Sequence, residues 1–295
     1  MMKRKNICVI GLLLGLIWLS GCGQILEMPV GVPKKSEQEM SVQNRVGEYE
    51  ITANDRDTVG KEVWEIDLNS LKAGQGENYH YDGRQLIIDT EGTYAIRGKM
   101  KHGNIVIRVY EDEIVHLILD DVELTSDEGP AIYAEKAAKV IITAKEGTEN
   151  ILSDGLKNGK EQKACVFSNC DLTFNGSGRL SVYGYHADAI RSKDRLKIVN
   201  SSIYVKAKES GIRGNDGVIL INSETEVECE GIGVLANSEK DMVIVQGGSL
   251  KVIAGKNAIS STKYVSITES QVDLYSILET IQCEGIREFD EEIIK

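Results

Sequence analysis

The residues best suited to chemistry lie in a segment that is written twice. Asp188-Ala189-Ile190-Arg191-Ser192-Lys193-Asp194 is followed, 22 residues on, by Ser210-Gly211-Ile212-Arg213-Gly214-Asn215-Asp216. In that register Arg191 shares a column with Arg213, and Asp194 stands over Asp216 with Asn215 beside it. Stacked guanidinium groups projecting outward would grip uronate carboxylates through paired hydrogen bonds. On so acidic a chain they would equally pair with neighbouring Asp and Glu. Two carboxylates on adjacent strands, about 4.8 Å apart, repel one another, and a calcium ion with oxygen ligands would relieve that. The plainer reading makes these aspartates caps of a tight bend. Tyr183, Tyr185 and Tyr204 offer flat faces for sugar rings, although aromatic residues make up only 5% of the chain. The four histidines, His80, His102, His116 and His186, show no triad or metal spacing.

These residues are positioned by short alternating runs. Behind the two openings come Leu196-Lys197-Ile198-Val199-Asn200 and Val218-Ile219-Leu220-Ile221-Asn222, then Ile203-Tyr204-Val205 and Thr225-Glu226-Val227. Similar openings fall at 130, 164, 232 and 257, and a period in the low twenties marks a solenoid. Alternation puts Ile132, Val166, Ile190, Ile212, Val234 and Ile259 in one inward column. Leu196, Val218, Met242 and Val265 form a second column, and Ile198, Leu220, Ile244 and Ile267 a third. Asn200 and Asn222 are expected to stack as an amide ladder. The long first spacing holds Thr148 to Lys163, which reads as a polar loop inserted in one coil. The fold class predicted is all-β: a single-stranded parallel β-helix of 22–25 residues per coil, three short strands each. Right-handed coiling is expected from the bias of parallel crossovers. A sandwich of short antiparallel strands does not explain the in-register recurrence.

The chain opens with a basic stretch, Lys3-Arg4-Lys5, and an apolar core from Ile7 to Trp18, ending at Leu19-Ser20-Gly21-Cys22. This is similar to a bacterial lipobox and predicts a lipoprotein signal peptide over 1–21, lipidated at Cys22 and tethered to a membrane by its acyl chains. Residues 22–60 read as a flexible tether, 61–276 as the β-helix domain and 277–295 as a C-terminal cap or tail that breaks register. A monomer facing the extracytoplasmic side is expected. The net charge of −12 argues against nucleic acid as a partner. Cys165, Cys170, Cys229 and Cys283 permit disulfides in an exported protein, but Cys229 falls at a small inward position equivalent to Ala207 and Ala254, which suits a buried free thiol.

Glu91-Gly92-Thr93-Tyr94, Ile118-Leu119-Asp120-Asp121-Val122, Ser126-Asp127-Glu128-Gly129-Pro130-Ala131-Ile132 and Glu146-Gly147-Thr148-Glu149-Asn150-Ile151-Leu152-Ser153-Asp154-Gly155 carry a resemblance. With Asn175-Gly176-Ser177-Gly178 and the Asp-Ala/Gly-Ile-Arg openings, the stretch from Trp64 to Tyr275 resembles the carbohydrate-binding β-helix family of bacterial surface proteins. The resemblance implies a pectate-lyase-like fold, calcium, and binding of cellulose or acidic pectin-like polysaccharide. Family openings carry acidic residues at positions matched here by Asp188, Asp194 and Asp216, whereas Ser210, Ile232, Asn257 and Cys170 depart from the pattern. The implied metal set is therefore Asp188, Asp194, Asn215 and Asp216, with Asp154 as a second candidate. The implied glycan contacts are Arg191, Arg213, Tyr185 and Tyr204. Non-catalytic polysaccharide binding is the leading function. The alternatives are a pectate-type lyase acting by β-elimination and an adhesin-like solenoid with a protein partner. For the lyase, arginine is a poor base and no further catalytic spacing is present.

Overall fold

Within the unit from Ile51 to Lys295, the computed structural model describes residues 51–56, 62–76, 78–155, 162–239 and 241–289. Cys22, the leader and most of the expected tether lie outside these residues. Each alternating run pairs in parallel with its own copy in the next repeat, because equivalent residue types recur one coil later. The chain is a parallel β-solenoid, as its repeats require.

A coil has three faces. The first is made by short strands, among them Ile132–Lys136, Ala164–Ser168, Asp188–Ser192, Ile212–Gly214, Val234–Ala236 and Ile259–Ser261. Lys139–Ala144, Asp171–Asn175, Arg195–Val199 and Tyr264–Thr268 belong to the second, and Glu149–Ser153, Arg179–Gly184, Ser202–Ala207 and Gln271–Ser276 to the third. In Ile114–Thr125, Gly217–Cys229 and Val243–Ala254 the second and third faces are one continuous bent strand. The bend needs a left-handed backbone. Asp121, Asn200, Asn222 and Glu269 take φ of +56°, +48°, +48° and +54°, and Gly247 takes +67°. Asn and Gly are the residues that tolerate this conformation best, so Asn200 and Asn222, both exposed, are chosen for their backbone. They follow Val199 and Ile221, which pair, so they stand on adjacent coils as expected.

The core is the stack of inward columns. Ile132, Val166, Ile190, Ile212, Val234 and Ile259 are aligned as predicted, each no more than 1% exposed. The other two columns need a correction in one coil. Val243, not Met242, lies between Val218 and Val265, and Val245, not Ile244, lies between Leu220 and Ile267. Met242-Val243-Ile244-Val245 is apolar throughout, so alternation there has no phase, and a one-residue slip exchanges the two faces. The connection from Val234–Ala236 to the next strand is also longer than in neighbouring coils, which hides the shift.

Three boundaries move. Glu149–Ser153 is a strand paired on both sides, with Leu152 fully buried, so the first part of the expected insert is not a loop. Among its described residues the expected tail keeps register instead of breaking it: Ile281–Cys283 pairs with Ile259–Ser261, and Ile286–Glu288 pairs with Tyr264–Thr268. Within the expected tether, a single helical turn, Ala53–Arg56, docks on the outer side of the second face through Asp55. At the other end, Tyr79–Tyr81 runs antiparallel to both Gly74–Gln75 and Gln85–Ile88, finishing the first-face sheet. The four described cysteines are free, and Cys229 sits between Ala207 and Ala254 as expected.

Candidate functional site

The outward residues of the third face form three parallel rows. Arg179, Ser202, Glu224, Ser249 and Gln271 make the first; Ser181, Tyr204, Glu226, Lys251 and Asp273 make the second. Tyr183, Lys206, Glu228, Ile253 and Tyr275 make the third. Between the first two rows runs a shallow groove of about 310 Å³. It crosses five coils, a span of about 19 Å at one strand spacing per coil. Ion pairs tie neighbouring coils together, Lys251 to Glu226 at 2.6 Å in the groove and Lys206 to Glu228 at 3.3 Å in the third row.

Three tyrosines stand at one end. Tyr185 stacks on Tyr183, with centroids 6.0 Å apart and planes at 12°, and Tyr204 meets Tyr183 edge-on at 6.0 Å. Tyr185 is 52% exposed, and its backbone N–H donates to Asp154 Oδ1 at 2.6 Å, which fixes the turn that carries it. Tyr204 is half-buried. Burial, with the Glu228 carboxylate that accepts its hydroxyl proton, pushes its pKa up to about 12. Tyr275 stands exposed at the far end of the same face. The surface thus combines aromatic faces with rows of hydroxyl, carboxylate and ammonium groups, the complement of a sugar chain's apolar ring faces and hydroxyl edges.

The arginines lie elsewhere. Arg191 and Arg213 are aligned on the first face, in one outward row with Tyr133, Phe167 and Leu235. The Arg191 guanidinium lies 5.8 Å from the Phe167 ring centre, and Tyr133 packs against that ring at 5.8 Å. Arg191 Nη1 is 4.0 Å from buried Asp188, whose Oδ1 accepts the Ser210 backbone N–H at 2.8 Å. Burial pushes the Asp188 carboxyl up, against the pull of that hydrogen bond and of Arg213 and Arg191. Burial and the neighbouring Arg191 push Arg213 down. Arg191 is only 19% exposed at its side chain, so the pair lies along the sheet and does not project from it. The expected glycan set therefore divides: Tyr185 and Tyr204 meet at the third face, Arg191 and Arg213 at the first. Phe167, which sequence reasoning missed, lies beneath Arg191, with Tyr133 packed against it.

The expected metal set divides too. Asp194 and Asp216 adjoin at the corner after the first face, where the Asp216 N–H donates to the Asp194 carbonyl at 3.2 Å and Asn215 immediately precedes Asp216. Asp188 stands at the opposite end of the strand Asp188–Ser192, facing Ser210. Burial pushes the Asp194 carboxyl up, and so do the charges of Asp171 and Asp216. Asp171 is held by Arg195, with Nη2 at 2.5 Å. Asn215 Oδ1 is a buried acceptor without a hydrogen-bond partner. The oxygen chemistry of this corner suits a hard cation, but among the described residues no three His, Cys, Asp or Glu side chains converge as a metal site.

Residues 82–285 match a family described as carbohydrate-binding domain-containing proteins. A relative so described from Acetivibrio thermocellus is 29% identical over 231 residues, covering 75% of this chain and 81% of that one. Among solved structures, a gadolinium derivative of the polysaccharide lyase-like protein from C. thermocellum superposes with a TM-score of 0.74 at 26% identity. That match covers 79% of this chain and 98% of the other.

Proposed function

Because the chain belongs to this carbohydrate-binding domain family, we propose that it is a non-catalytic polysaccharide-binding protein whose glycan lies along the third face. The observation that carries this reading is the groove of about 310 Å³ with the Tyr183, Tyr185 and Tyr204 platform at its end. Glu224, Glu226 and Asp273 face Arg179 and Lys251 there, a balance that favours a neutral, hydroxyl-rich, cellulose-like chain over a polyuronate. The lipobox-like Leu19-Ser20-Gly21-Cys22 supports a lipid anchor that holds this surface outside the membrane. Calcium belongs to the proposal only at the Asp194, Asn215 and Asp216 corner. Its role there is to relieve charge repulsion in the fold, with no contact to glycan.

Retention on insoluble cellulose tests the assignment. Tyr204→Ala and Tyr185→Ala are each expected to weaken binding about fivefold, the worth of roughly 1 kcal/mol of ring contact, while circular dichroism stays unchanged. Unchanged retention in both variants overturns it. The lyase alternative predicts an ultraviolet-absorbing unsaturated product from polygalacturonate that disappears in Arg213→Ala. Arginine is a poor base, since its guanidinium holds its proton near neutral pH, which disfavours this alternative.

A further inference from the structure

On the outer side of the second face, two ammonium groups and a hydroxyl converge on one carboxylate. Lys139, Thr173 and Lys197 come from three successive, mutually paired strands, and Thr173 and Lys197 share an outward row. The carboxylate is that of Asp55, fully buried and supplied by the turn Ala53–Arg56. Its Oδ1 accepts from Lys139 Nζ and, at 2.8 Å, from Thr173 Oγ1; its Oδ2 accepts from Lys197 Nζ at 3.1 Å. Asn175 Nδ2 reaches the Asp55 carbonyl at 3.3 Å. Both lysines are themselves sheltered, with side chains 14% and 8% exposed.

The donors and the acceptor differ in how they are held. The backbones that carry Lys139, Thr173 and Lys197 are fixed by the ladder of the solenoid. Asp55 rides on four residues of helix, whose first turn it also closes by accepting the Thr52 N–H and hydroxyl at 2.8 Å each. Burial, reinforced by the Lys139 and Arg195 charges, pushes the Lys197 ammonium down even with Asp55 beside it. The solenoid thus carries two ammonium groups and a hydroxyl on three neighbouring strands, a donor set that suits an anion of two oxygens.

We propose that Lys139, Thr173 and Lys197 form a binding site for a ligand carboxylate, such as that of a uronic acid, and that Asp55 fills it as the chain's own internal ligand. The site is distinct from the third-face groove, and it is open only when the segment 51–56 lifts away.

The test compares the full chain with its Asp55→Ala variant, using acetate and D-galacturonate as probes against sodium chloride of equal ionic strength. The variant's melting temperature is expected to rise by several degrees with acetate, and calorimetry to register galacturonate binding. The wild type should show neither. Adding Lys197→Met should abolish both responses. If Asp55→Ala does not fold in chloride, its refolding is scored in acetate, and recovery there supports the site. No response of the variant, no recovery, an equal rise in the wild type, or a response that survives Lys197→Met overturns the proposal.

Discussion

Asp55→Ala is also the sharpest probe of how the solenoid is held together. The substitution leaves Lys139 and Lys197 without the carboxylate that both contact, in a place where each side chain is largely shielded from water. Removing one partner of a buried ion pair costs about 3–5 kcal/mol. Losing the contact to Thr52 at the start of the turn adds about 1 kcal/mol. The expected loss is thus about 4–6 kcal/mol, measured by urea denaturation in chloride buffer. Hydrogen exchange should place it in the strands Lys139–Ala144, Asp171–Asn175 and Arg195–Val199. The sign of the pH dependence follows from the carboxyl. Burial raises its pKa, but hydrogen bonds from Lys139, Thr52 and Thr173 outweigh this and hold it well below the usual carboxylate range. Its stabilisation is therefore fully present above the unfolded value near pH 4 and is lost as pH falls towards the folded value. The gap between wild type and variant should be constant above about pH 5 and narrow in acid. Replacing Lys197 with Met in the variant should recover part of the loss. A cost below about 1 kcal/mol, or a gap that does not narrow in acid, would refute the account.

Asp194→Asn removes one of the stacked carboxylates and should stabilise the metal-free protein near neutral pH by about 1 kcal/mol, the repulsion of unit charges about 5 Å apart in water. The same change should abolish any calcium-induced rise in melting temperature, which differential scanning calorimetry reads directly. Val245→Asp puts a carboxylate into the core and should cost more than about 3 kcal/mol, whereas Gln246→Asp, outward and exposed, should stay within about 0.5 kcal/mol in the same denaturation assay. Asn222→Val forces a β-branched residue to φ near +48° and should cost about 1–2 kcal/mol, while Asn222→Gly should be tolerated. Equal effects of Val and Gly would show that the bend does not depend on backbone freedom.

Much of the fold was legible in the chain itself, and the reason is repetition. A solenoid pairs each segment with its own neighbouring copy, so the spacing from Ile190 to Ile212 to Val234 states the register directly. The inward columns, the place of Cys229 between two alanines, and the start of the solenoid near Trp64 all follow from periodicity. Legibility ended where periodicity lost its phase, as in Met242-Val243-Ile244-Val245, or where strands were too short or too polar to stand out, as at Glu149–Ser153 and Ile281–Cys283. For the candidate site, the sequence by itself identified Tyr185, Tyr204, Arg191, Arg213 and the aspartates as the residues with chemical capacity. Only the tertiary structure decided which of them meet. Face assignment follows from where each coil turns, and that put the tyrosines and the arginines on different faces and Asp188 at the far end of its strand from Asp194. Asp55 had no signal in the sequence, since nothing local distinguishes an acid of the apparent tether from its neighbours. Its partners, 84 to 142 residues away, come together only because three successive coils bring Lys139, Thr173 and Lys197 side by side.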